Sequence, residues 1–460
     1  MIQGAKGDNV SKRVLLIAVV VPAVLLLGAS PTESFGLAKA RNEVTSSRVI
    51  QAKPSPTPTP PPTGVFSNEA LWSSADDWEP NVATDPSSSY VYELTTRYSK
   101  FCAHGQGHCM AFRSSADGGA TWSADSLVCP CKGAQNDPVM KVATDGTIYQ
   151  VHMNGYAVVF QRSTDHGVTW SAPIDLKALS GLSFTDKPWI AISPSGQDVY
   201  IAFNSTDSYI AASHNNGASF SVPVKTNSDA LYWFAEGGAV APNGSVYFSE
   251  SAEQNQASPT GPIKLAVISS INGGVSWTTT FVDTSQQQPA CAVRSCPADF
   301  FGAQAALAVD SGGTLMLAYV KNATAAAPMA LYESTSTNGV TWSAPVALGS
   351  GGSAVGADFP AVASGPTAGD FRVAWMDDRN GATAFNVWYR STTNSGGSWS
   401  PAMRLSNLGS GAPYKTSAGF SFTYGDYFSM AVNSSGKSYV IWGEGPNYIG
   451  PGGTWSTSGS

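Results

Sequence analysis

Hydrophobic and polar positions in this chain alternate in short runs, and the runs recur. A stretch such as Trp189 to Ile192 is followed by a turn-forming residue and then by a second run, Val199 to Phe203. Runs of this length, rich in β-branched and aromatic residues and bounded by Gly, Pro, Asn, Asp and Ser, read as hairpins of paired strands. Each hairpin carries a marker: Ala, one residue, then a turn residue. It appears as Ala83-Thr-Asp85, Ala143-Thr-Asp145, Ala191-Ile-Ser193, Ala241-Pro-Asn243, Ala308-Val-Asp310, Ala363-Ser-Gly365 and Ala431-Val-Asn433, seven copies in all. Small Ala suits a first strand crowded around an axis. The second strands carry bulk instead, at Tyr92, Tyr149, Tyr200, Tyr247, Tyr319, Trp375 and Trp442, which fills the space between neighbouring units.

A second repeat follows the hairpins. Ser115-Ala-Asp-Gly-Gly-Ala-Thr-Trp122 returns intact as Ser163 to Trp170, and with drift as Ser213 to Phe220, Ser270 to Trp277, Thr335 to Trp342 and Thr392 to Trp399. A third strand leads into this octapeptide and a fourth leaves it, so each repeat is a four-stranded unit of propeller size. Its short polar residue stands two places before Gly, as a tight turn requires: the side chain accepts backbone N–H groups and Gly takes a positive φ. This gives Asp117, Asp165, Asn215, Asn272, Thr337 and Asn394 a structural role, with Thr337 the copy that departs furthest. The pattern S/T-x-D/N-x-G-x-T/S-W/F is the Asp box, and over residues 65–460 the chain resembles the sialidase-like (Asp-box, BNR-repeat) β-propeller superfamily. The expected fold is all-β, a propeller of four-stranded blades. The hairpins count seven blades; the Asp boxes count six, which is the number the resemblance implies for enzymatic sialidases. The seventh unit has no Asp box, and ring closure is expected to take an outer strand from Val65 to Trp72.

Composition supports a turn-rich all-β chain: 12% charged residues, 11% aromatics and 46 glycines in 460 residues. The net charge of −7 argues against a nucleic-acid partner. Lys6, Lys12 and Arg13 precede an apolar run from Val14 to Leu27, short for a membrane span. The expected organisation is a signal peptide over 1–29, with an uncleaved anchor as alternative, a Pro-rich linker over 30–64 and the propeller over 65–460. That places the protein outside the cell or on its surface. Six cysteines suit an oxidising compartment. Cys291 and Cys296 are close enough to pair locally, while Cys102, Cys109, Cys129 and Cys131 allow three pairings. Cys102-Ala-His104 and His108-Cys109 also have the look of a metal cluster, against which disulfides are the expectation for an exported chain.

The resemblance implies a functional mouth where first strands begin and second strands end. The beginnings carry Glu79, Asp137, Asp186, Glu236, Asp358 and Asp426; the ends carry Arg97, Glu250, Asp377, Arg379 and Glu444. The expectation is an acidic ring. Such a ring would bind a glycan, divide into one acid and one base for glycoside hydrolysis, or hold Ca²⁺; each residue singly has the plainer role of capping loop backbone. No other cofactor is called for. The resemblance also implies that sialidase chemistry needs an arginine triad, an Asp acid/base and a Tyr–Glu nucleophilic pair. The family's F/Y-R-I-P motif is absent here, and Phe112-Arg113 and Phe371-Arg372 both fall inside strands. Tyr424 and Tyr427, around Gly425-Asp426, stand where the nucleophilic Tyr would fall. The catalytic candidates are therefore Asp137, Asp186, Asp358, Asp426 and Tyr427, and the ligand-binding candidates are Glu79, Arg97, Glu236, Glu250, Asp377, Arg379 and Glu444. The expected function is an exported, monomeric, glycoside-hydrolase-like propeller acting on extracellular glycans. The alternative is a non-catalytic propeller that binds carbohydrate or a cell-surface protein; a third reading, assembly of membrane complexes, has no specific support.

Overall fold

The computed structural model describes residues 65–460 apart from 74–75, 99–101, 103–106, 255–260, 288–302, 326, 350–354, 380–385, 407–426 and 445–452. The expected signal segment and spacer, the pair Cys291 and Cys296, and Tyr424 and Asp426 lie outside the described residues.

The strands form seven antiparallel sheets of four strands each. These are the seven blades, one to six spanning 76–127, 135–175, 186–225, 232–285, 305–347 and 357–404. Blade seven takes three strands from the C-terminus, Ser429–Val432, Ser438–Glu444 and Gly453–Gly459, and its outermost strand from the N-terminal side, Ala70–Ser73. Further pairing of Val65 N–H with Ser460 O at 2.8 Å and Ser67 N–H with Ser458 O at 2.9 Å extends that closure. The one helix among the described residues is a single turn, Leu176–Ser180.

Apolar residues are buried chiefly between blades. Val139, Tyr149 and Val151 of blade two pack with Ile190, Val199 and Ile201 of blade three, and the other interfaces repeat the scheme. All seven bulky residues expected on second strands are buried. They are not all equivalent, however. Tyr92, Tyr149, Tyr200 and Tyr247 share one register position, where Met316, Arg372 and Tyr439 stand in the last three blades.

The same register corrects the alanine marker. The penultimate residues of the seven inner strands are Ala83, Lys141, Ala191, Ala239, Ala308, Ala363 and Ala431. Ala143 and Ala241 lie beyond the strand ends, in the turns, where their N–H groups reach Thr147 O and Ser245 O. In blades two and four Asp145 and Asn243 stand third in a five-residue turn, whereas Asp310 and Asn433 stand first in turns of the same length, and that puts the motif two residues out of step.

The Asp boxes fold as turns held by one side chain. Asp117 Oδ1 accepts Thr121 N–H at 2.8 Å and Oδ2 accepts Thr121 Oγ1 at 2.6 Å; Asp165 does the same with Thr169 at 2.9 and 2.6 Å. These bonds hold both carboxyls down at about 2. Asn215, Asn272 and Asn394 receive the backbone N–H of Ser219, Ser276 and Ser398. The fifth copy is corrected: Asn338, not Thr337, accepts the N–H groups of Val340 and Thr341 at 2.9 and 2.8 Å. That turn is one residue shorter, so alignment from its Thr335 end assigns the wrong side chain. The box glycine also sets the blade spacing. A Cβ at Gly167, whose φ is +86°, would lie 2.2 Å from the Phe112 ring of the preceding blade.

Cys102 pairs with Cys109 and Cys129 with Cys131. The disulfide reading thus holds over the metal cluster: these thiols are consumed, and His108 Nδ1 lies 2.6 Å from Gln135 O.

Candidate functional site

The inner strands of blades one, two, three and six open on a β-bulge at a residue that precedes proline. These residues are Glu79, Asp137, Lys187 and Phe359, with φ of 51°, 57°, 47° and 53°. Positive φ is unusual for such side chains, and each costs about 1–3 kcal/mol. Four copies at one level of the ring are a built feature that aims side chains at the mouth. They also correct the acidic ring. Two of the four aimed positions are acids, but the others are a lysine and a phenylalanine; Asp186 and Asp358 stand one residue earlier and were counted in the wrong register.

The acids that do stand at the mouth are engaged. Glu79 Oε2 accepts Thr96 Oγ1 at 2.8 Å and the backbone N–H of Asp137 in the next blade at 2.9 Å. Glu236 accepts Ser251 Oγ at 2.6 Å and Ala305 N–H of blade five at 2.7 Å. Asp137, 2% exposed, lies 3.5 Å from Lys187 Nζ, and Asp186 accepts the N–H of Lys187 at 2.9 Å. Asp358 is buried.

The candidates at the second-strand ends are placed differently from the expectation. Arg97 is buried in a fork with Asp77, at 2.7 and 2.9 Å, and its remaining nitrogen reaches Asp125 at 2.5 Å. Asp377 binds Arg379 and the Trp375 indole, while the Arg379 guanidinium lies 3.6 Å over the Trp388 ring. Neither arginine presents a free fork to a ligand carboxylate. Arg113 and Arg372 are likewise spent on Glu93 and Asp370. Glu250 is not at the mouth, because its strand runs on to Glu253. It is buried, accepts Ser208 Oγ at 2.8 Å, and burial pushes its carboxyl up to about 8. Glu444 is the last residue of its strand.

What the bulges bring together is a small pocket. Its walls include Trp189, Phe234 and Tyr427, its charged groups are Lys187, Glu236 and Glu253, and Ser251 and Gln304 add polar side chains. Tyr427, the catalytic candidate that the described residues do place here, lies against blade three. Its ring faces Trp189 at 6.2 Å between centroids and 10° between planes, with Lys187 Nζ 5.1 Å away. The enclosed space is about 70 Å³, room for a few waters, so a sugar would rest on the rim. Sequence reasoning missed Lys187, Glu253, Trp189 and Phe234. The X-Pro repeat, Glu79-Pro, Asp137-Pro, Lys187-Pro and Phe359-Pro, was the available signal for Lys187. Among the described residues no three His, Cys, Asp or Glu side chains gather as a metal site.

Seven four-stranded blades, closed by an N-terminal strand, decide the class. The fold is an all-β, seven-bladed β-propeller. The chain is similar to a structure described as a new family of polysaccharide lyase, PL25 ulvan lyase, at 12% identity and TM-score 0.50, covering 83% of this chain and 94% of that one. It is similar to the Hadza microbial sialidase Hz136 at 13% identity and TM-score 0.46, covering 83% and 65%. It is also similar to Trypanosoma rangeli sialidase at 12% identity and TM-score 0.44, covering 86% and 59%. The chain thus spans 65% of the length of Hz136. No protein family's model matches the chain, and no curated protein matches it. At these identities the likeness is one of fold.

Proposed function

We propose that this chain is an exported glycan-binding propeller whose site is the pocket at the bulged end of the ring. The observation that carries the reading is the convergence of Trp189, Phe234 and Tyr427 with a few polar groups, Lys187, Glu236, Ser251, Glu253 and Gln304, at one concave spot. Apolar walls that bind faces and sparse polar groups that fix orientation are the usual make-up of a small-molecule site. Arginines tied to carboxylates favour a neutral or weakly charged glycan over a sialic acid, whose carboxylate calls for a free bidentate partner. Binding is favoured over turnover because Glu79 and Glu236 hold backbone N–H groups of the neighbouring blade.

A second reading, glycoside hydrolysis, is favoured by one observation: two carboxylates of the same blade, Glu236 and Glu253, line one pocket. The test is a glycan array and a hydrolysis screen on residues 57–460, which form one compact unit, with and without Ca²⁺, using sialosides, neutral glycosides and polysaccharides. Binding lost in Trp189→Ala, with no turnover on any substrate, supports the first reading. Turnover abolished by Glu253→Gln establishes the second. A folded protein that neither binds nor cleaves overturns both.

A further inference from the structure

At the opposite end of the ring from the bulges, the last residues of the seven inner strands line a second, open space of about 320 Å³. Six of the seven register-equivalent positions there are alanines, as crowding about the axis demands, and the seventh is Lys141. The neighbouring side chains are Val82, Val142, Val240, Val309 and Val432, and Lys141 is the one ionisable residue that lines the space. Among the described residues its side chain has no carboxylate or other hydrogen-bond partner, and burial holds its ammonium below the usual lysine range. Lys141 is half-buried at this open end of the channel; a lysine left without a partner there is less well solvated than a surface one, and the other six blades carry alanine instead. The inner strands are sheet edges, so their outer N–H and C=O groups are unpaired within the sheets and turn toward the channel.

We propose that Lys141 makes this end of the channel a binding site for a small organic carboxylate. The carboxylate meets the Lys141 ammonium and edge-strand N–H groups, and the organic body lies on the valine and alanine side chains. The space is about twice the 150 Å³ of an engineered apolar cavity known to admit benzene, so an aromatic carboxylate fits. The site is separate from the mouth pocket and shares no lining residue with it.

The test uses 4-bromobenzoate on residues 57–460 whose lysines carry ¹³C-methyl labels. The Lys141 resonance is expected to shift saturably at millimolar ligand, while the exposed Lys132 moves only as far as matched chloride moves it. A crystal soaked in the same probe is expected to show anomalous bromine density in the channel. Lys141→Ala, which installs the residue of the other six blades and should therefore fold, is expected to abolish the bromine density. A Lys141 shift that is linear in probe and equal to that of Lys132, or bromine density that persists in Lys141→Ala, overturns the proposal.

Discussion

Single residues here show how burial sets charge. Glu250 is enclosed between blades three and four with one bond, from Ser208, and its carboxyl titrates near 8 in the folded chain. An unfolded Glu titrates near 4.5. Between those values the unfolded chain holds fewer protons than the folded one, so stability falls as pH rises from about 4.5 to about 8. Glu250→Gln removes that loss. Its Tm should match that of the parent near pH 4 and exceed it at pH 9, with a gain of a few kcal/mol at most. Equal Tm values at pH 9 would mean that the carboxyl is better solvated than its surroundings imply. Lys141 is the mirror case. Its lowered pKa costs stability at neutral and acid pH and costs nothing once the unfolded lysine is also neutral. Thermal scans of Lys141→Ala should therefore show a higher Tm than the parent at pH 7 and no difference above about pH 10.5. Neither residue was singled out correctly from sequence: Glu250 was placed at a strand end, and Lys141 was hidden by an alanine two residues further on.

The elements were more legible than the residues that sit on them. Hairpins and Asp boxes follow from turn chemistry, which is local and repeats; the closing strand follows from the seventh unit, which has no Asp box. Register was not legible, because the turn residue of the alanine marker stands first in the turn of blade five but third in that of blade two, and the fifth Asp box is a residue short. That is why the octapeptide, aligned from Thr335, points to Thr337 rather than Asn338 as the turn acceptor. The correction is testable: Asn338→Ala should destabilise by about 1 kcal/mol, since two backbone N–H groups lose their acceptor, and Thr337→Ala should stay within about 0.5 kcal/mol of the parent in denaturant unfolding. The reverse order would restore the original alignment. The bulges were likewise in plain view as four X-Pro steps, but sequence alone did not say that these steps aim side chains inward. Counting acids near strand ends produced a ring; the backbone shows Glu79, Asp137, Lys187 and Phe359 in its place.

At the scale of the whole molecule, closure joins the two ends of the propeller through Ala70–Ser73 and Gly453–Gly459. Removing residues 65–73 exposes the edge of the Gly453–Gly459 strand, so the truncated chain should melt lower and self-associate through that edge in size-exclusion chromatography. A truncated chain that stays monomeric with an unchanged Tm would show that closure rests on packing alone. The ring also explains why function was the least legible property. A blade repeats the same structural residues, whereas a mouth is assembled from single positions on different blades, and one-residue slips move each of them. The glycan site proposed for the bulged end is walled by Trp189, Phe234 and Tyr427. The most direct measurement is glycan-array binding by residues 57–460 beside Trp189→Ala. Saturable binding to a neutral or weakly charged glycan, lost in the folded variant, is the result this account expects; binding of the same glycan by both proteins with equal affinity would contradict it.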